Sequence, residues 1–485
     1  MQLYTELAES LPEIYRDCER AADEIGIPSE MRGEIGATGA VSGMPGYLRD
    51  EIADYVHEHA QKAVPNAELQ HRIRGIVKDV YGDDYDAVPV NTCEAALYLS
   101  HDVLSTPPLS GRGDTYRSRY IAPYERHVHH QGGYGRPFPP RYKDLLADRG
   151  VTAGEFGFHG KRLENLDVVL ARLPGAKYEV HGIKNHPCPL LMDVDADAAV
   201  EKIRTLADRH ASSLVGFASL GYDTPGYGYG QHDENGTPLL SKGIGQVAAE
   251  YEVPYITDNA WGVPFVGVDP RETNSTVMTY SMDKAAGAPT SGLIIGQEEE
   301  MVQLRRAMGM HGDRGGSTKS YGKSAYVSLD PGKEALLGQI AALRALRDDP
   351  GAVTEPVDRT YEIVEDEIGS MRSDLRDGIE VTKSYNSCTV EINYQHTWEG
   401  GMGIPIFSIE DFYSTQPFKE ALMRMGVIPT ILYDGNVFLS PGMGTVDETG
   451  ELVDERMRYA VKAIVAVLEI FSKHAGVLEE PAFAD

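Results

Sequence analysis

The chain has 485 residues, 41% of them hydrophobic, so it is long enough for two or three domains and too apolar to stay disordered. Its 74 acidic residues outweigh 45 Lys plus Arg, giving a formal charge of −29 that argues against nonspecific nucleic-acid binding at low salt but leaves room for a local basic site for RNA. The excess is dispersed in small groups such as Asp83-Asp84 and Glu298-Glu299-Glu300, and Arg outnumbers Lys. That pattern suits a cytoplasm at very high salt, where the Debye length falls to ~3 Å or less, and predicts a halophilic source. An ordinary acidic mesophilic enzyme is the alternative.

Cys18, Cys93, Cys188 and Cys388 include no CxxC pair, which argues against a disulfide framework or a zinc ribbon. The N-terminus lacks a basic n-region and an apolar h-region, and no run reaches the ~18 apolar residues of a membrane helix. A soluble, reduced, cytoplasmic protein with no membrane partner is expected.

Residues 1–65 read as helices interrupted by Gly36-Ala37-Thr38-Gly39 and Gly43-Met44-Pro45-Gly46, with helical spacing over 47–63. A helix over 67–80, a strand over 87–90 and a helix opening at Thr92 follow. Strands are then expected over 120–122, 166–170, 213–217, 253–256, 276–280 and 292–295, with helices over 196–209 and 239–251. This alternation predicts an α/β layered domain with a mainly parallel sheet over residues 66–330. From 331 to 485 the pattern becomes two long helices over 333–347 and 355–375, strands over 388–394 and 437–439, and an amphipathic helix over 454–471. That is a smaller α/β C-terminal domain.

The stretch Val253-Pro254-Tyr255-Ile256 leads into Asp258, and Thr276–Tyr280 leads into Ser281 and Lys284. An acid and a lysine thus end two successive strands. Pyridoxal 5'-phosphate (PLP) needs that pair: the amine forms a Schiff base with the aldehyde, and the carboxylate keeps the pyridine nitrogen protonated. Asn91-Thr92-Cys93 lies between a strand and a helix N-terminus, which suits a phosphate through N–H groups and the Thr92 hydroxyl; simple helix capping is the alternative. His127 is the candidate to cover one ring face, with His129 and His130 beside it; metal ligation or solvated loop histidines are the alternatives. Ala260 is small enough for the other ring face to pack against. Ser219 is placed to meet the ring oxygen or is a plain loop serine. Ser281 is placed for the phosphate, and Asp283 orients the lysine or is exposed.

Three stretches carry a resemblance: Val253–Gly262, then Tyr280-Ser281-Met282-Asp283-Lys284, then His311-Gly312-Asp313-Arg314-Gly315-Gly316-Ser317. The order of elements resembles fold type I PLP enzymes, the aspartate aminotransferase superfamily. Within it these stretches resemble the O-phosphoseryl-tRNA:selenocysteinyl-tRNA synthase (soluble liver antigen) family over roughly residues 85–330. The resemblance implies a seven-stranded, mainly parallel sheet in the large domain and PLP on Lys284. It also implies Arg314 as a ligand of a substrate carboxylate or phosphate. Two departures stand out: Asp258 replaces the family's frequent Asn, and Gly43-Met44-Pro45-Gly46-Tyr47 replaces its glycine- and arginine-rich phosphoserine loop. Many aminotransferases carry a carboxylate-gripping Arg on a late strand, and Asn436–Pro441 has none.

The expected function is a PLP-dependent lyase or transferase acting on a seryl or cysteinyl derivative, free or attached to tRNA. Lys284 would serve as general base and Asp258 as ring-nitrogen partner. An aminotransferase and a noncatalytic RNA-linked scaffold are the alternatives. Sites of this fold commonly take residues from two subunits, so a homodimer or homotetramer is expected.

Overall fold

The computed structural model describes residues 10–38, 40–41, 44–45, 48–105, 119–124, 184–189, 195–224, 229–311, 316–317, 326–394, 411–433 and 436–474. The large sheet is built from β1 (Tyr85–Val90), β2 (Arg119–Tyr124), β3 (Lys184–Pro189), β4 (Leu214–Leu220), β5 (Tyr255–Asp258), β6 (Val277–Ser281) and β7 (Gly292–Gln297). Its order is β1-β7-β6-β5-β4-β2-β3, seven strands as expected. β3, β2, β4, β5 and β6 run parallel, while β7 runs antiparallel to both β6 and β1. β3 escapes a reading by propensity because it contains Pro187 and Pro189. It lies at the sheet edge, where missing N–H donors are tolerated. The strand expected over 166–170 lies outside the described residues.

Alternation along the strands fixes two faces. Val88, Val90, Ile256, Val277 and Ile294 pack against α-helices running Cys93–Ser105 (here α4) and Glu298–Ala307 (α7). Phe217 and Tyr255 face the other way, onto Ala196–His210 (α5) and Leu239–Glu250 (α6). On that second side, Met278, Tyr280, Leu293 and Ile295 join a core that reaches into the C-terminal region. Asp86 on β1 is fully buried and takes the Nε of Arg74 at 2.8 and 2.9 Å as well as the Arg305 guanidinium from α7.

The C-terminal sheet orders β8 (Glu380–Ser384), β9 (Thr389–Asn393), β11 (Asn436–Leu439) and β10 (Ile431–Tyr433), all antiparallel. α8 (Lys333–Asp348) and α9 (Gly351–Gly369) precede it, α10 (Asp411–Arg424) crosses between β9 and β10, and α11 (Asp454–His474) closes the chain's described part. α9 ends at Gly369 rather than running to Leu375. Arg372 turns extended, and a separate short helix covers Ser373–Arg376.

The N-terminal segment joins this C-terminal region. α1 (Leu11–Ile25) packs on α10 and α11, and the short strand Ile35–Gly36 pairs in parallel with Val427–Ile428. α2 (Asp50–Ala60) and α3 (Asn66–Tyr81) pack on α8. Gly36 fits there because an added Cβ would stand 2.6 Å from the Met443 carbonyl oxygen.

Candidate active site

The C-terminal edges of β5 and β6 carry the two residues on which the site is built. Asp258 is the last residue of β5 and is in register with Thr279 of the parallel β6. It shares the α4 face with Ile256, is buried, and accepts the Ala260 N–H on Oδ1 at 3.1 Å, which fixes the carboxylate. Lys284 lies three residues past the end of β6, half-buried. Between them Ser281 Oγ donates to Asp283 Oδ1 at 2.7 Å, and both are buried. Asp283 is therefore turned inward onto its neighbour rather than exposed.

Thr92 stands at the start of α4. Its Oγ1 accepts the Ala95 N–H at 3.0 Å and its carbonyl accepts the Ala96 N–H at 3.1 Å, so it caps the helix and keeps the first-turn amides facing the sheet edge. The Asn91 N–H is spent on the Leu329 carbonyl at 2.8 Å, and its side-chain amide on the Ser328 carbonyl at 3.1 Å, so Asn91 anchors the loop. Cys93, Leu97 and Ala260 form one small buried cluster, which joins the helix start to the Asp258 loop. The antiparallel β7 completes this cradle. Gly292 lies so close to the loop that an added Cβ would fall 2.3 Å from the Thr92 carbonyl oxygen and 2.8 Å from the Cys93 nitrogen.

The structure does not bring Ser219 to this side. It alternates with Ala218, and its hydroxyl bonds Tyr255 Oη at 2.5 Å and the Leu220 carbonyl at 3.2 Å, within the α5/α6 face. His127, His129, His130 and Arg314 lie outside the described residues.

Two residues that sequence reasoning missed stand close by. His101 on α4 is buried, its ring 5.2 Å from the Tyr120 ring. Burial drives its pKa down to about 4, against the pull of the neighbouring Asp258 carboxylate. An i+8 spacing from Cys93 puts it near the face that Cys93 and Leu97 share, and that helical spacing is the signal that would have found it. The other is Arg49, which lines a cleft with Lys284, Cys388, Pro441, Gly442 and Gly450. No periodicity marks it, because its position depends on how the N-terminal segment folds back.

The Asp258 loop is also tied to the C-terminal sheet. Trp261 packs at 5.0 Å on Phe438 of β11 and at 5.4 Å on Tyr222. Ser384 Oγ donates to Asp223 Oδ1 at 2.6 Å.

These features fit PLP. A buried acid ends one strand, a lysine follows the next, and a capped helix N-terminus is closed in by a glycine with no room for a side chain.

No family model and no curated protein sequence matches the chain. Solved structures do. A SepCysS–SepCysE N-terminal domain complex matches at TM-score 0.51 and 12% identity, over 91% of this chain and 95% of that one. A taurine:2-oxoglutarate aminotransferase from Bifidobacterium kashiwanohense, in complex with PLP and glutamate, matches at TM-score 0.51 and 13% identity over 86% and 85%. A transaminase from ancestral reconstruction matches at TM-score 0.52 and 13% identity over 88% and 86%. With the strand order, the antiparallel β7 and these neighbours together, the chain has the fold of the fold type I PLP-dependent enzymes.

Proposed function

We propose that the chain is a PLP-dependent lyase or transferase working at the α and β carbons of an amino acid, a seryl or cysteinyl derivative either free or carried on tRNA. The observation that carries this reading is the placement of Asp258 and Lys284 at the C-terminal edges of adjacent parallel strands, beside a capped helix N-terminus. When bound, the coenzyme supplies covalent attachment of the amine and an electron sink for the bonds at Cα. The chain's own residues do the rest. Thr92 and the first-turn amides of α4 hold the phosphate. Asp258, buried and anchored by the Ala260 N–H, keeps a proton on the ring nitrogen. Cys93 and Ala260 form an apolar wall beside it. Lys284 would hold the coenzyme through its amine and would serve as general base for the proton at Cα. The net reaction would exchange a β-substituent, leaving with its bonding electrons as an anion, for a sulfur or selenium nucleophile.

An aminotransferase is the second reading: Asn436–Pro441 carries no Arg of its own, though another arginine can take that place. The assembly proposed with it is a homodimer or homotetramer in a high-salt cytoplasm, a setting supported by the dispersed charge of −29. Among the described residues no helix is long and apolar enough to cross a membrane.

The test is spectral. Protein purified in multimolar salt and given PLP should develop a visible band, and borohydride should fix the coenzyme on Lys284. Amino acids and O-phosphoserine are then screened for shifts of that band. A protein that stays colourless and traps nothing ends the proposal.

A further inference from the structure

Arg49 lies just before α2 and is separated from Lys284 by most of the large domain in sequence, yet both line one cleft. The cleft wall is otherwise small or apolar, with Gly287, Val353, Pro441, Gly442 and Val446 among its residues. In a chain of charge −29, the ionisable side chains among the described residues of this wall, besides the Cys388 thiol, are the cations Arg49 and Lys284. The Arg49 side chain is only 12% exposed. Its Nη1 lies 3.3 Å from Glu51, whose own side chain is 58% exposed, so that pair is wet and weak. Among the described residues Nη2 is buried and has no hydrogen-bond partner. A buried guanidinium N–H left unpaired is costly and is normally satisfied by an oxyanion.

The position is fixed from both sides. Gly450 leaves room for the arginine stem, since an added Cβ would lie 3.3 Å from Arg49 Cδ. The charge also reaches Cys388. There burial and then the Asp223 carboxylate push the thiol up to about 12, and Arg49 pulls the other way. The loop after β11 thus carries no arginine of its own but holds one delivered by the N-terminal segment.

We propose that the substrate is the free amino acid and that Arg49 binds its α-carboxylate next to Lys284, through the fork of its guanidinium. This rests on the proposed function above, because it needs the amine of the same substrate to sit at Lys284. A substrate phosphate shares the oxyanion chemistry, and the test separates the two.

The experiment uses full-length, PLP-loaded protein in multimolar salt and compares the parent with Arg49→Gln and Arg49→Lys. Coenzyme uptake and borohydride fixation on Lys284 are read first, and both variants should match the parent. Ligand affinity is then read from the visible band for L-serine (carboxylate), ethanolamine (neither), O-phosphoserine (both) and phosphoethanolamine (phosphate only). In Arg49→Gln the dissociation constant should rise about tenfold or more for L-serine and O-phosphoserine, the loss of one charge-assisted contact, and stay unchanged for the two amines without a carboxylate. Arg49→Lys should fall between, because it keeps the charge and loses the fork. A loss confined to the two phosphorylated ligands overturns the carboxylate assignment in favour of phosphate. Unchanged L-serine affinity, an equal loss for ethanolamine, or variants that take up no coenzyme overturn the proposal outright. A parent protein that takes up no coenzyme overturns the proposed function instead, and this assignment with it.

Discussion

Asn259 and Asn386 exchange a reciprocal pair of hydrogen bonds. Nδ2 of Asn259 donates to Oδ1 of Asn386 at 3.0 Å, and the reverse bond measures 2.9 Å. Asn259 follows Asp258, and Asn386 sits in the turn between β8 and β9 of the C-terminal sheet. Asn386 Nδ2 also reaches the Gly221 carbonyl at 2.6 Å, and its Oδ1 accepts the Val268 N–H at 2.9 Å. Gly221 and Gly262 crowd Asn259 so closely that an added Cβ would lie 2.4 and 2.1 Å from its amide atoms. One side chain of the C-terminal sheet's β8–β9 turn is thereby keyed into the loop that carries Asp258.

Removing that key should destabilise the whole chain. Asn386→Leu leaves the Asn259 amide and the Gly221 carbonyl buried without their partner, at about 1–3 kcal/mol each. Denaturant unfolding should show a lower midpoint, and the coenzyme band should shift because the Asp258 loop loses its tether. A midpoint equal to wild type would show that the pair contributes nothing.

Gly292→Ala probes the phosphate site proposed at the start of α4 without touching a polar group. The new Cβ would meet backbone of Thr92 and Cys93, which cannot swing aside as a side chain can. Displacing the α4 amides by even part of one charge-assisted hydrogen bond, about 1.5–3 kcal/mol, should weaken coenzyme binding by about ten- to a hundredfold. Titration of coenzyme-free protein with PLP reads this directly.

Lys284→Ala should leave the fold intact, since the side chain is half-buried at a cleft wall. It should abolish borohydride-fixed coenzyme and catalytic turnover together. Covalent label recovered on another lysine in this variant would refute the assignment.

His101 makes stability depend on pH in a defined sense. Its imidazole is held at about 4 in the folded chain against 6.5 for the ordinary group. Between those values the unfolded chain binds more protons, so this residue's contribution to stability rises with pH from about 4 and levels off above about 6.5. The full span is on the order of 3 kcal/mol. His101→Gln should therefore flatten the difference in stability between pH 4 and pH 7, measured by denaturant unfolding. Identical pH profiles for variant and parent would mean that the imidazole is not buried beside Asp258.

Salt should stabilise the protein steeply. A charge of −29 repels itself in the compact state, and added ions shorten the range of that repulsion. The melting temperature is expected to climb continuously with KCl into the molar range. A protein equally stable at low ionic strength would fit the ordinary acidic alternative.

Much of this was written locally. The apolar stretches before Asp258 and Lys284 mark strand ends because strand and turn formation depend on neighbouring residues, and β5 and β6 appear within a residue or two of where periodicity puts them. The Thr92 cap is local for the same reason. Other features depend on contacts between distant segments. β7 reverses direction between β1 and β6 and so seats Gly292 on the Thr92 loop. The face Ser219 presents follows from its pairing with β5, not from its place after an apolar run. Arg49 lines the cleft of the lysine because Ile35–Gly36 pairs with Val427–Ile428 and draws the N-terminal segment onto the C-terminal region. Periodicity specifies which way a side chain alternates within its own element. Which element lies opposite is decided by the shared burial of surfaces far apart in the chain, and that only the folded structure fixes.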